Sequence, residues 1–438
     1  HYKKERPIAL MMENSIDWLI TYFGVVASGR SCVPLSLRSS DENLISQVSF
    51  TDTQLVVVSE KFLPRWEKLV ERFERPPAVI TPDKALILFN KKTDSKPKSA
   101  KFPTILFTSG TTSTPKAIRL SRGTILAAAR NIVDYLKLDC DDVYYAMLPF
   151  YHSFGLGNIF TVLAMGGTVV ISNAGTNLKK ALRDIVRYRA TFWAATPYTI
   201  EMATRYFLTD LIRTGKYLRK LCTNTGPMPP AITKIIIEQL PKVQFFTYYG
   251  LTEASRSAFM HYNLYPNKME SVGRPSPNVS IRIVDNKNKV LPFMKIGEVC
   301  IKGPHVVDGY WKNKLLSKER FQNGWLYTGD MGYLDEDNFL YITGRKDDMV
   351  DIGGEKFSLS EVDKVLLSCK GIKDAASFLV EHPRMNFTMG CVVPADIHIS
   401  DQGKKLLTER LAETCKNKLD RHQLPAKFVF AEYIPRTD

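Results

Sequence analysis

The densest chemistry in the sequence lies at residues 104–116, TILFTSGTTSTPK. A short apolar run, Ile105-Leu106-Phe107, leads into Thr108, Ser109, Gly110, Thr111, Thr112, Ser113 and Thr114 and ends on Lys116. Hydroxyls and backbone N–H donors beside a lysine suit an anion with several oxygens. The stretch is not the nucleoside-triphosphate loop GxxxxGK[ST], because Pro115 takes the place of the second glycine and Ala117 that of the hydroxyl. Taken alone it reads equally well as a hydroxylated surface loop. Further along stand a histidine in LPFYHSFG (His152), an acid in YYGLTEAS (Glu253), and an acid in YTGD (Asp330) with Arg345 downstream.

The elements that must position these groups alternate in type. Residues 8–60 pass from the helix-spaced IDWLITYFGVVASG to the short buried strand TQLVVVSE. The alternation resumes at 105 and runs to about 260, which predicts α/β layers with parallel strands. From about 270 to 345 short strands are separated by Gly, Asn and Asp turns, so a β-rich subdomain is expected there. LSEVDKVLLSC then predicts an amphipathic helix. The expected fold is therefore α/β: a large N-terminal domain over 1–345, then a small, mobile α+β domain over 346–438.

Composition narrows the function. The 438 residues are 44% hydrophobic and 24% charged, as expected of a soluble globular protein. No apolar run reaches the roughly 18 residues of a membrane span, and the first residues carry charge without the apolar segment of a signal peptide. Seven cysteines lie scattered with no CxxC spacing, which argues for reduced thiols, a cytoplasmic location and no zinc site. The formal charge of +15 suits a polyanionic small substrate, peripheral contact with an anionic membrane, or a plain solvated surface. No basic stripe interleaved with aromatics is present, so nucleic acid is not expected.

Seven segments in order then carry a resemblance. TSGTTSTPK resembles TSG[ST]TGxPK, with Ser113 where glycine is usual, and LPFYHSFG resembles LPxFHxxG. NTGPMPP, with Gly226, resembles the glycine-rich turn before the next strand, and YYGLTEAS matches YGxTE. GEVCIKGPHVVDGYW, then YTGD through GRKDDMVDIGGEKFS, then the closing PRTD complete the set. On these motifs the chain is identified as a member of the adenylate-forming (AMP-binding) superfamily, in its acyl-CoA and acyl-carrier-protein synthetase branch.

The resemblance implies that Thr108, Ser109, Gly110, Thr111, Thr112 and Lys116 wrap the β- and γ-phosphates of ATP. It implies that Glu253 holds Mg²⁺, that Thr252 donates to the α-phosphate, and that Tyr249 and Gly250 border the adenine. Asp330 and Arg345 would meet the ribose, and His152 would gate the acyl site. Asp347 would be the hinge of a rotating C-terminal domain, with Gly354 and Lys356 beside the tunnel for the incoming thiol. The family's closing lysine is expected beyond Asp438.

The acyl pocket is expected to draw on Phe150, Phe154, Trp193, Tyr198, Met228 and Phe246, mostly apolar side chains. No acid stands in PFYHSFGLG to pair with a substrate ammonium, which disfavours amino acids. A fatty or other apolar carboxylic acid is expected, joined to coenzyme A or to the phosphopantetheine of an acyl carrier protein. An aryl acid, a different acceptor and a catalytically impaired nucleotide-binding relative are the alternatives. Arg256, after LTEAS, could face a polar end of the substrate or form a salt bridge at the surface, and the salt bridge is the expectation.

Overall fold

The computed structural model describes residues 6–85, 100–108, 116–172, 174–175, 177–346, 349–352, 355–380, 387–396, 398–420 and 423–434. Contacts divide the chain into two compact units. The first comprises His1–Ile281, Ile301–Tyr327 and Asn338–Leu340, and the second Arg282–Cys300, Thr328–Asp337 and Tyr341–Asp438.

The first unit contains two sheets of the expected α/β kind. Strands β1 (Ile8–Met11), β2 (Cys32–Pro34), β3 (Leu55–Val58), β4 (Ala78–Ile80), β5 (Thr104–Thr108) and β6 (Lys116–Leu120) form a sheet in the order β4-β3-β1-β2-β5-β6. All its pairings are parallel except β5 with β6. Strands buried on both faces read as unbroken apolar runs, as LVVV does in β3.

The second sheet holds β7 (Val143–Ala146), β8 (Thr168–Ile171), β9 (Phe192–Ala195), β10 (Lys220–Thr223), β11 (Gln244–Leu251), β12 (Ala254–His261) and β13 (Arg274–Pro275). Its order is β13-β12-β11-β10-β9-β7-β8. Pairing is parallel from β8 across to β11 and antiparallel beyond. The helices Arg122–Leu136 and Ser153–Ala164 flank this sheet's turns, and the start of the first is set locally. Ser121 caps the first by accepting from Thr124 N, which satisfies one of the four orphan donors of a helix start.

The short strands expected between 270 and 345 form a five-stranded sheet, most of it in the second unit. They are β14 (Ser280–Val284), β15 (Gly297–Lys302), β16 (Phe321–Gln322), β17 (Trp325–Leu334) and β18 (Leu340–Arg345). Left-handed turn residues such as Asn288, Asn323 and Asn338 punctuate the stretch, as asparagine tolerates that conformation. The remainder of the second unit is a two-stranded antiparallel pair, Met349–Ile352 with Glu355–Ser358, and a three-stranded sheet covered by the helices Leu359–Leu367 and Asp401–Lys418, around Val362, Leu366, Leu407 and Leu411.

Candidate functional site

In the second sheet, β7, β9, β10 and β11 are consecutive parallel neighbours. The turns that follow them therefore emerge on one edge, the carboxyl ends of the strands, where ligands of open α/β sheets bind. His152 follows β7, Gly226 follows β10, and Thr252 and Glu253 follow β11. Four residues singled out by sequence alone are thus brought to one edge. The β7 turn is pinned by Asn14, whose side chain donates to Leu148 O at 2.8 Å and accepts from Phe150 N at 3.0 Å.

Thr252 and Glu253 are the two-residue link between antiparallel β11 and β12, with a register irregularity between Tyr249 and Leu251. Gly250 is required at that irregularity. A Cβ there would lie 2.6 Å from Arg256 N and 2.8 Å from Ala254 O. The turn thus holds a glycine because two backbone segments meet on it. Tyr249 is buried in β11, while Gly226 is exposed with open space around it.

Glu253 is 9% exposed. Tyr310 donates its phenol hydrogen to Glu253 Oε1 at 2.9 Å, and Val307 N donates to Glu253 O at 2.9 Å. Desolvation, and then the carboxylate itself, push the Tyr310 phenol up, so it stays a donor. Among the described residues no lysine or arginine pairs with Glu253. The same 307–311 segment reaches β6, since Trp311 N donates to Ala117 O at 2.8 Å. Lys116, which opens β6, therefore belongs to the strand tied to the segment that holds Glu253. Tyr310 stands in the GPHVVDGYW motif but had no role in the sequence reading; the motif was its only signal.

One carboxylate held by a neutral phenol fits a hard cation that takes one or two protein oxygens and completes its shell with phosphate and water. No cluster of three or more His, Cys, Asp or Glu side chains able to hold a metal occurs among the described residues.

His152 is the N-cap of the Ser153–Ala164 helix without a side-chain capping bond, its ring 4.6 Å from that of Tyr151. Although exposed by area, its imidazole is held below the ordinary histidine range by desolvation and then by Arg38. It is thus biased to the neutral form.

In the second unit Arg345 Nη1 donates to Asp330 Oδ1 at 2.8 Å, and Asp330 N donates to Thr328 Oγ1 at 3.0 Å. Glu298, from the GEV motif, accepts from Gly329 N at 3.1 Å and from Lys346 Nζ at 2.6 Å. Two acid–base pairs thus fasten the YTGD stretch of β17 and the neighbouring β15 to the end of β18, immediately before Asp347. The readings of Ser109, Gly110, Thr111, Thr112, Asp347 and Gly354, and of the Thr108 and Lys356 side chains, lie outside the described residues.

Two expectations need correction. Arg256 forms no surface salt bridge: it is 1% exposed, inside the first unit. Phe150, Phe154, Trp193, Met228 and Phe246 are buried, and Phe150, Phe154 and Phe246 sit in the main core cluster, while Tyr198 is 70% exposed. None of them lines the cavity next to Thr252. That cavity is bounded instead by Ile125, Ala128 and Ile132 of one helix, Leu156 and Phe160 of the next, and Arg256. Phe150, Phe154 and Phe246 are packed into the core instead.

The AMP-binding enzyme model matches residues 1–311, and the AMP-binding enzyme C-terminal domain model matches residues 361–438. A 2-succinylbenzoate–CoA ligase of Bacillus cereus is 27% identical over 449 residues, covering 99% of this chain and 86% of the relative. The oxalate–CoA ligase of Arabidopsis thaliana is 27% identical over 447 residues, covering 98% and 85%. Among solved structures, the o-succinylbenzoate CoA synthetase of Bacillus subtilis in complex with its acyl-adenylate intermediate superposes with a TM-score of 0.86 at 25% identity, covering 99% of this chain and 86% of that one.

Proposed function

This chain belongs to the AMP-binding enzyme family and is an AMP-forming acid–thiol ligase, and from that premise we propose that its acid is an aryl or dicarboxylic acid activated as the acyl-adenylate. ATP supplies the adenylate and coenzyme A is the thiol acceptor. The fatty acid and the acyl carrier protein expected from sequence give way to this reading, because the curated relatives reported above are named for 2-succinylbenzoate and oxalate. Both of those acids carry two carboxylates.

The observation that carries the reading is the Thr252–Glu253 turn at the carboxyl end of β11, with Glu253 fixed by Tyr310. Joining a carboxylate to the α-phosphate crowds negative charge, and the protein's part is to position and neutralise it before reaction. Glu253 would hold Mg²⁺, which offsets phosphate charge when bound. Thr252 donates to the α-phosphate, and Lys116 with the 108–112 hydroxyls takes the outer phosphates. His152, biased neutral, stands by the acid without repelling or trapping it as a cation. Asp330 and Arg345 take the ribose, and Tyr249, Gly250 and Gly226 border the base. The division at 345/346, with Asp347 as hinge and Gly354 and Lys356 near the thiol, belongs to the same reading: a few junction residues absorb a rotation between the two half-reactions.

Pyrophosphate release from ATP, measured with a panel of acids, tests it. Release that depends on 2-succinylbenzoate, oxalate or a related dicarboxylate supports the reading. Release only with long-chain monocarboxylic acids would restore the fatty acid, and ADP or phosphate as product would sink the adenylation chemistry.

A further inference from the structure

His305 is fully buried, at 0% exposure, in the GPHVVDGYW motif. It stands two residues before Val307 and five before Tyr310, the two residues that donate to Glu253. Among the described residues its ring makes one hydrogen bond, between Nε2 and Ser257 Oγ at 2.8 Å. Ser257 gives its own hydroxyl hydrogen to Ala254 O at 2.8 Å, so it can only accept from the histidine, and Nε2 carries the ring hydrogen. Nδ1 is then a bare acceptor, buried and without a partner among the described residues. Burial pushes the imidazole down to about 4, so the ring is uncharged above that pH.

Such a residue is costly to keep. An acceptor buried without a partner destabilises the fold. The chain also clears room for the ring at Gly303, where a Cβ would lie 2.8 Å from Nδ1. An aliphatic side chain would fill the same space and orphan no nitrogen. What the histidine adds over it is one N–H, given to Ser257 of β12.

That bond joins two segments that meet again at the site. Ala254 and Ser257 open β12 directly after Thr252 and Glu253. Facing them, Val306 pairs with Ala254 in an antiparallel bridge, Val307 N donates to Glu253 O at 2.9 Å, and the Tyr310 phenol donates to Glu253 Oε1 at 2.9 Å. The bridge and the Val307 bond are made by backbone groups and fix the separation of the two segments. His305 ties down the residue before the bridge by its side chain, and Tyr310 follows the bridge by four residues. We propose that His305 is a positioning residue for the metal-binding carboxylate: its bond to Ser257 sets the 305–310 segment against β12 so that the Tyr310 phenol aims Glu253. This rests on the reading of Glu253 as the Mg²⁺ ligand, and extends that site to a side chain that touches neither metal nor substrate.

The test reads the Mg²⁺ concentration for half-maximal pyrophosphate release, with the KM for the acid measured beside it. His305→Leu keeps the bulk and removes the donor. It should raise the half-maximal Mg²⁺ concentration about 3- to 10-fold and leave the KM for the acid within about twofold of the parent. His305→Gln, whose amide nitrogen reaches as far as Nε2, should bring the Mg²⁺ value back to within about twofold. An unchanged Mg²⁺ value in His305→Leu, a shift that glutamine does not rescue, or an equal rise in the KM for the acid overturns the proposal in favour of plain packing. A double-substitution cycle shows whether the histidine acts through the phenol. In a Tyr310→Phe background His305→Leu should add less than about twofold, and effects that multiply in full also overturn the proposal. If His305→Leu does not fold, Ser257→Ala, which removes the acceptor, takes its place in both arms. Failure of the Mg²⁺ reading looks different: Glu253→Gln then keeps its turnover, whereas a crippled Glu253→Gln beside an unaffected His305→Leu overturns this inference alone.

Discussion

Glu253, in the turn between β11 and β12, and Asp330, within β17, are both acids, yet they are held in opposite ways. In the first unit a neutral phenol from Tyr310, which also meets Arg320, fixes Glu253, and among the described residues no lysine or arginine forms an ion pair with that carboxylate. In the second unit Asp330 is paired with the guanidinium of Arg345. A carboxylate meant for a metal loses affinity if a protein cation neutralises it first, whereas one meant to accept ribose hydroxyls needs orientation more than free charge. The difference in partner therefore separates the two roles more clearly than the motifs do.

Removing the Glu253 charge has the largest expected effect. Glu253→Ala should lower acid-dependent pyrophosphate release by about 1,000-fold or more at saturating ATP. Glu253→Gln should do the same, because it keeps the shape and loses the charge. Turnover within tenfold of the parent in either variant would remove the Mg²⁺ assignment. Asp330→Asn comes next: the KM for ATP should rise roughly 10- to 30-fold with kcat less affected, the scale of hydrogen bonds to a charged group. The parent enzyme should also discriminate against 2′,3′-dideoxy-ATP, and the variant should lose most of that discrimination. If both enzymes discriminate equally, Asp330 does not meet the ribose.

How far the sequence reaches follows from the distance over which each feature is decided. The α/β order and the β-rich stretch between 270 and 345 are decided within a few residues, by apolar runs and by turn residues such as Asn288 and Asn338, and they are legible. So is the Thr252–Glu253 turn, because it joins adjacent strands. Tyr310 is not, since its bond to Glu253 spans 57 positions and nothing local marks the tyrosine as its partner. The direction of Arg256 is hidden for the same reason. An arginine after a hairpin turn faces solvent by default, and only Gly157, in a distant helix, makes room for it inside. The expected acyl pocket fails on packing. A list of aromatics says that space is filled, not which space is left.

Tyr310→Phe sharpens the comparison from the other side. It removes one neutral hydrogen bond from a nearly buried carboxylate, on the order of 1 kcal/mol. The Mg²⁺ concentration for half-maximal turnover should rise about 3- to 10-fold, because Glu253 loses the contact that aims it. A fall instead would mean that the phenol competes with the metal and does not position its ligand.

Arg345→Gln carries the smallest expected effect and puts the pair in the second unit to the test. The Arg345 side chain is 41% exposed, so the 2.8 Å contact with Asp330 is screened by solvent and is worth at most about 1 kcal/mol. If Arg345 only orients Asp330, the substitution should raise the KM for ATP by no more than about fivefold and leave the penalty for 2′,3′-dideoxy-ATP in place. If Arg345 also reaches the ribose itself, that penalty should shrink together with the rise in KM, as it does on losing Asp330. Raising ionic strength separates the cases further. A screened tether weakens with salt in the parent enzyme and has nothing to lose in the variant, so the two KM values should converge as salt is added.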